Sequence, residues 1–432
     1  MSEFNSLPDS GQMGGQPAKR NWLLIGGLGC GGVVVLCFIV LLVGGLLLVR
    51  QRDQLLESAA THRASGNYEA AVADLQTLVS EHAESDQAAE AKSLIPQVEL
   101  EWAADLRGRG EYLAALEKYG TVNDPAVATA KNEGVWETHL AWGTALLAEN
   151  KYAEALKQFN TVTNLAPEGS DVSGRAHAAI PPTYVGLAEE ALAAGDIPTA
   201  YTHYTTVFEN YPSGDGRELA LASFATQFTA PLLAFAQSKM TSQVYSDAVF
   251  SYEALVAYAP TSPEAAEALA GLPNAYYLWA RQLDEAAEYT AAIEKYEYLL
   301  ATYPNSEFTD KAQKGMIDAQ VAAVNASGDA GQLPSPSRGG SGSGSAADTA
   351  TYIVENDTVC PILLLASGPG SQSLAIPAGQ TTESEFLPGT YNVVVQVDGE
   401  DKLSADCQNI IPFTGEYIFD GGYEYNSSFY IE

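Results

Sequence analysis

The chain has 432 residues, 46% hydrophobic and 17% charged, an ordinary balance for a folded protein and enough length for two or three domains. Its charge is not ordinary: 54 acidic against 21 basic residues give a formal net charge of −33. That charge repels nucleic acid and anionic lipid surfaces and leaves no basic stripe for phosphate, so it argues against DNA or RNA binding and fits a chain kept soluble by acidity.

Residues 1–20 carry Gly, Ser, Asn and Pro without an apolar period and read as a disordered tail that ends on Lys19 and Arg20. Trp22 to Val49 is a run of 28 uncharged residues, closed by Arg50 and Arg52, so 21–50 is expected to be a transmembrane helix. At about 1.5 Å per residue it reaches roughly 42 Å, more than the roughly 30 Å hydrocarbon core. A cleavable signal peptide is the weaker reading, because the apolar run is too long and lacks a clean small-x-small cleavage site. A lipoprotein signal ending at Cys30 is also weaker, since the residues after it stay hydrophobic. Gly27 and Gly31 form a small-xxx-small pair through which two such helices could meet as a homodimer. Positive charges nearly balance across the segment, so charge alone does not set its orientation.

From 51 to 324 one pattern recurs six times. Aligned on Tyr68, Tyr112, Tyr152, Ile197, Tyr245 and Tyr289, the third residue after each anchor is Ala71, Ala115, Ala155, Ala200, Ala248 or Ala292. The seventh is large (Leu75, Tyr119, Phe159, Tyr204, Tyr252, Tyr296), and the tenth is Leu or Val. These offsets share one helical face. Nine before each anchor stands Ala59, Ala103, Gly143, Ala188, Ala236 or Ala280, small enough for a close helix partner. Trp102, Trp142 and Trp279 stand ten before theirs, and Pro167, Pro212, Pro260 and Pro304, fifteen after the last four anchors, stop the helix.

This grammar resembles the tetratricopeptide repeat, which implies antiparallel helix pairs stacked as a right-handed superhelix that binds other proteins. The anchors lie 44, 40, 45, 48 and 44 residues apart, where the family expects about 34. The excess precedes the first helix of each pair, where a breaker recurs (Pro96, Gly134, Pro181 with Pro182, Pro231, Pro273), so each unit reads as a short lead-in helix, a break, and the pair. Tyr303-Pro304-Asn305-Ser306 and Ala259-Pro260-Thr261-Ser262-Pro263-Glu264 resemble the repeats of bacterial envelope-assembly lipoproteins, with Ser or Thr as helix cap. Ser306 to Val324 reads as a last amphipathic helix covering the open end.

Residues 325–347, with Pro-Ser-Pro-Ser and Gly/Ser runs, read as a flexible linker, and 348–432 as a small all-β sandwich. Tyr391, Val393, Val395 and Val397 alternate on one face, and the pairs Leu363, Leu365 and Ile411, Phe413 fit neighbouring strands. Leu387-Pro388-Gly389-Thr390-Tyr391 resembles the turn-and-strand phrase of carboxypeptidase-regulatory-like envelope sandwiches. With 13 acidic residues and the single lysine Lys402, this domain is no general anionic-glycan binder. Its two cysteines, Cys360 and Cys407, read as a candidate structural disulfide of an oxidising compartment, with two unpaired core thiols as the alternative. That pair places the carboxyl side of the span outside the cytoplasm.

No nucleophile with a base, metal cluster or phosphate loop is legible. His62, His82, His139, His177 and His203 are scattered, and Asp398-Gly399-Glu400-Asp401 lacks calcium-loop spacing and reads as a hairpin turn. Some proteins with this repeat clamp a partner's terminal carboxylate with Lys, Arg and Asn. Here the corresponding positions, eight and four before each anchor, are Ala60 and Ala64, Ala104 and Gly108, Thr144 and Ala148, Glu189 and Ala193, Gln237 and Thr241, Arg281 and Glu285. The expectation is therefore a multi-domain, non-catalytic membrane scaffold without a cofactor, with other envelope proteins as partners. The alternative makes the terminal sandwich a ligand- or surface-carbohydrate-binding module and the solenoid its spacer.

Overall fold

The structure is a computed structural model that describes residues 26–339, 349–398, 407–408 and 410–430. The tail at 1–20, the start of the expected span and most of the Asp398–Asp401 turn lie outside the described residues. The chain divides into two compact units, Met1–Thr183 and Tyr184–Glu432.

In the first unit, α1 (Gly26–Ala64) is followed by α2 (Tyr68–Glu81), α3 (Asp86–Gly108), α4 (Tyr112–Thr121), α5 (Ala128–Ala148), α6 (Tyr152–Leu165) and the start of α7 (Asp171–Ala193). The second unit takes the rest of α7, then α8 (Ile197–Asn210), α9 (Asp215–Ser223), α10 (Thr229–Thr241), α11 (Tyr245–Tyr258), α12 (Pro263–Glu285), α13 (Tyr289–Thr302) and α14 (Thr309–Ser327). Every anchor is the first residue of a helix. The six alanines three residues on are 0% exposed, and the large residues seven on are all buried, so the repeated face is the core.

Helix pairs are joined by one turn used six times. Two before each anchor, Gly66, Gly110, Asn150, Gly195, Gln243 and Ala287 all have positive φ, between 59° and 80°. The next amide donates to the carbonyl five residues back, as from Asn67 to His62 and from Glu288 to Leu283, 2.9 Å each. This is the Schellman pattern, which satisfies carbonyls a helix end leaves orphaned. Ser85 and Ser262 cap α3 and α12, their hydroxyls accepting from Ala88 N at 3.1 Å and Ala265 N at 3.0 Å.

Outside the fifth unit, the lead-in helices expected before each pair do not exist as separate elements. Pro96, Pro181 with Pro182, and Pro273 lie inside α3, α7 and α12, each a continuous 23-residue helix, and Gly134 lies inside α5. An internal proline costs one hydrogen bond and a steric clash. Pro96 and Pro273 are buried, however, so their rings add to the packing that holds the helix on both sides. Only the fifth unit is interrupted, by a π-helical turn at Phe224–Phe228 between α9 and α10. Gly134 has a packing reason instead: a Cβ there would lie 2.4 Å from the Tyr119 ring, and one at Gly315 2.6 Å from Tyr296. In these two units the tyrosine seven after the anchor thus inserts against a glycine of the following long helix.

The β domain contains β1 (Gly331–Gln332), β2 (Ser337–Gly339), β3 (Ala350–Asn356), β4 (Ile362–Ser367), β5 (Gln372–Ile376), β6 (Thr381–Phe386), β7 (Gly389–Val397), β8 (Phe413–Phe419) and β9 (Glu424–Phe429). One sheet has the order β1-β8-β7-β4-β5 and the other β2-β9-β3-β6. Tyr352, Phe386, Tyr391, Val393, Tyr417 and Phe419 fill the space between them. The stretch read as a linker is thus partly structured: β1 runs parallel to β8, and β2 runs antiparallel to β9, so the strap between them stitches one edge of each sheet. Arg338 fixes it, with its guanidinium 3.4 Å from the Tyr423 ring centre and 3.3 Å from the Asp420 carboxylate.

The domain is also not a free body on a tether. Ile317 and Val321 of α14 pack against Leu365 of β4 and Val394 of β7, all four at most 2% exposed. Leu363 and Leu365 therefore face the helix, while Ile362, Leu364 and Ala366 face the other sheet. Polar contacts ring this seam. The Asp318 carboxylate accepts from Ser367 and Ser371, 2.6 Å each, and from Lys314 at 2.7 Å, while Thr414 donates to Asn325 at 2.6 Å.

Candidate protein-interaction surfaces

The positions that a carboxylate clamp would occupy lie on the first helix of each pair. In the first unit Ala60, Ala64, Gly108, Thr144 and Ala148 are exposed and Ala104 is half-buried. Three of them line two shallow hollows: Ala60 one of about 360 Å³ with Leu56, Arg63 and Leu94, and Thr144 and Ala148 one of about 500 Å³ with Tyr112, Leu140 and Arg175. The arginines there are neutralised: Arg63 donates to Glu101, at 2.7 Å through Nε, and Arg175 pairs with Glu137 and, at 2.8 Å, with Asp171. The hydrogen bond to Glu101 holds the Arg63 pKa above its ordinary value. These hollows therefore offer small side chains and already-paired cations.

In the second unit four of the six positions, Glu189, Gln237, Arg281 and Glu285, are polar and paired with neighbouring side chains, while Ala193 is small and Thr241 bonds the Gln237 carbonyl. Glu189 accepts from Ser223 and Gln227, 2.8 Å each, Gln237 donates to Glu267 at 2.6 Å, and Arg281 pairs with Glu285 at 2.6 Å. Tyr276 donates to Glu253, and burial together with that carboxylate pushes the phenol pKa up. Tyr303 beside it is pushed up to about 12, chiefly by burial. Burial holds the His203 imidazole below its ordinary value, with Asp196 opposing, and raises the Asp284 carboxyl, with Asp318 adding to the effect.

Two features of the repeats escaped the sequence reading. A lysine six after the anchor covers the tryptophan ten before it, Lys118 over Trp102 at 3.8 Å and Lys295 over Trp279 at 4.9 Å. The fixed offset of 16 residues was visible in the chain. The second is the glycine that receives Tyr119, Tyr252 and Tyr296, Gly134, Gly271 and Gly315 respectively, which sequence alone does not tell from a breaker.

In the β domain Cys360 and Cys407 are joined, Cα atoms 5.8 Å apart, and pack on Val397 and Ile410. The buried Asn356 side chain organises the β3–β4 turn beside them, donating to the carbonyls of Cys360 and Ile376 at 2.9 Å each. Next to the disulfide an apolar pocket of about 190 Å³ opens between the sheets, walled by Leu333, Ile362, Val395, Ile411, Phe413 and Phe429. The Ile410-Ile411-Pro412-Phe413 run announced apolar surface, but not that it would line a hollow. Gly27 and Gly31 lie in the first turns of α1, where only the helical backbone is described. Among the described residues no three His, Cys, Asp or Glu side chains gather as metal ligands.

No curated protein matches the chain. Among solved structures, a TPR repeats protein from Bacteroides fragilis matches 62% of this chain and 97% of its own at 12% identity and a TM-score of 0.29. A tetratricopeptide repeat protein from Parabacteroides merdae matches 62% and 99% at 13% identity and 0.19, and the TPR2AB domain of yeast Sti1, in complex with pHSP90, 62% and 98% at 13% and 0.22. None of these findings supports the resemblance of the β domain to carboxypeptidase-regulatory-like sandwiches. Residues 274–306, from the second half of α12 through α13, match the family model of the tetratricopeptide repeat.

Proposed function

We propose that the chain is a non-catalytic scaffold of the cell envelope, anchored by the helix at 21–50, whose helix pairs bind other proteins. The observation that carries this reading is the set of mostly exposed positions on the first helices, small in one unit and largely self-paired in the other, which suits recognition by shape and apolar contact rather than by a charged clamp. The anchor rests on α1, where Leu36, Phe38, Ile39, Val40, Leu42 and Val43 are all exposed on one continuous helix that leads into the first repeat. Among the described residues the one helix long and apolar enough to cross a membrane is Asp215–Thr241, but its Phe224, Phe228 and Leu232 are core residues of the second unit.

Co-purification from native membranes, followed by identification of what is retained, tests the scaffold. Ala60→Arg and Thr144→Arg, which fill the hollows without touching the core, should weaken capture of at least one partner. Capture indifferent to both changes, and lost when the β-domain surface is altered, would transfer the function to the terminal module.

A further inference from the structure

The pocket beside the disulfide differs from the rest of this molecule in one respect. The chain carries a net charge of −33, and the β domain alone has 13 acidic residues, yet none of the fifteen described side chains lining the pocket is charged. Aliphatic and aromatic groups dominate, and the four polar ones (Gln332, Thr358, Gln396, Ser428) are neutral hydrogen-bonding groups. Thr358 already spends its hydroxyl on the Cys360 carbonyl at 2.7 Å. A hollow of about 190 Å³ compares with the roughly 150 Å³ at which an engineered apolar cavity takes up benzene.

The walls come from five places in the chain: the strap at Leu333 and Pro334, the disulfide turn, β4, β7, and the segment from Ile410 to Phe413 facing Phe429 and Tyr430. The disulfide and the Asn356 hydrogen bonds hold the floor, so the cavity is pre-formed. Its mouth is apolar as well, with Ile411 50% and Tyr430 68% exposed. Small-molecule sites are concave, mostly apolar and carry a few neutral orienting groups, as here.

We propose that this pocket is a binding site for one small, neutral, apolar group, a phenyl ring or a branched aliphatic chain of similar volume. The site is independent of partner capture by the helix pairs, and among the described residues its lining offers no cation to an anion. The test is photolabelling of the full chain with the neutral probe 3-phenyl-3-(trifluoromethyl)diazirine, with labelled peptides located by mass spectrometry. Labelling at 410–413 and 429–430 should saturate and be competed by toluene and by N-acetylphenylalanine amide, but not by hexanoate. Ile411→Glu, at an exposed position on the rim, should lower the labelling about tenfold, whereas Ile418→Glu, equally exposed on β8 outside the pocket, should leave it unchanged. Labelling that rises linearly with probe, that is confined to the apolar part of α1, or that hexanoate suppresses as well as toluene does, would overturn the assignment. Because no protein partner enters this experiment, its failure leaves the scaffold reading standing, and failure of partner capture leaves the pocket standing.

Discussion

Six times the chain turns from one helix to the next through a residue of positive φ, and only Gly66, Gly110 and Gly195 do so without steric cost. Asn150 tolerates the left-handed region, but Gln243 and Ala287 hold it under strain at 61° and 59°. Gln243→Gly and Ala287→Gly should therefore each stabilise the protein by about 1 kcal/mol, seen as a higher denaturation midpoint, while Gly110→Ala should lower it by a similar amount. The opposite rule governs the glycines under the tyrosines. Gly315→Ala would drive a Cβ to 2.6 Å from the Tyr296 ring, and should cost about 1–3 kcal/mol that Tyr296→Leu in the same chain partly restores. His203 adds a pH dependence of known sign. Its pKa is lower folded than unfolded, so on acidification the unfolded chain takes up a proton that the folded chain resists, and stability falls as pH drops below about 6.5. The thermal midpoint should decline from pH 7.5 to 5.5 by less in His203→Gln than in the natural protein.

At the scale of elements the decisive contact is α14 against β4 and β7. Val321→Asp would place an unpaired charge among Ile317, Leu365 and Val394 and should cost roughly 3 kcal/mol. Because the seam is buried, the loss should appear in the helices of the second unit as well as in the sheets, and two probes, one helical and one β, should report a single shifted transition. Cys360→Ala removes the closure of a separation of 47 residues, worth about 4 kcal/mol in the chain-entropy model, and should likewise lower both signals. A flexible tether would have insulated the helices. The reason it was expected shows what a sequence can carry. Helix pairs were legible because Ala71 and its five counterparts, with the large residues four positions later, repeat at helical spacing and all are buried. The edge strands β1 and β2 were not, because two or three residues amid Gly, Pro and Ser show no alternation. The docked face did leave a mark that went unread: Ile362-Leu363-Leu364-Leu365 and Val393-Val394-Val395 are apolar at every position, as strands covered on both sides are. The prolines inside α3, α7 and α12 mislead for the converse reason, since local cost is outweighed by burial that only the tertiary structure supplies.

For the molecule as a whole, the anchor proposed at 21–50 raises the matter of sidedness, on which the disulfide and the charge bear, while α1 bears on how the helix pairs would be held. α1 carries exposed Leu, Ile, Val and Phe from Leu36 to Val43 and continues without a break into the packed first repeat, so an anchor there would hold the helix pairs at the bilayer without a loose linker. Cys360 and Cys407 are bonded in the β domain, which an oxidising compartment favours. The acidic bulk does not hinder export, because acidic residues contribute little to orientation and long domains translocate regardless of their charge. The expected topology is therefore the tail before Lys19 inside, one crossing, and everything beyond Arg50 outside. Cysteine reporters added in a Cys30→Ala, Cys37→Ala background read it directly in intact cells with a membrane-impermeant thiol reagent. Ser65→Cys, exposed after α1, should label before lysis, and Ser6→Cys only after it, while Cys360 and Cys407 should stay silent until reductant is added. Labelling of Ser6→Cys alone before lysis would reverse the orientation. Gly27→Leu with Gly31→Leu separates anchoring from pairing: the protein should remain in the membrane, and a dimer that depends on close approach of two α1 helices should dissociate on sedimentation in detergent.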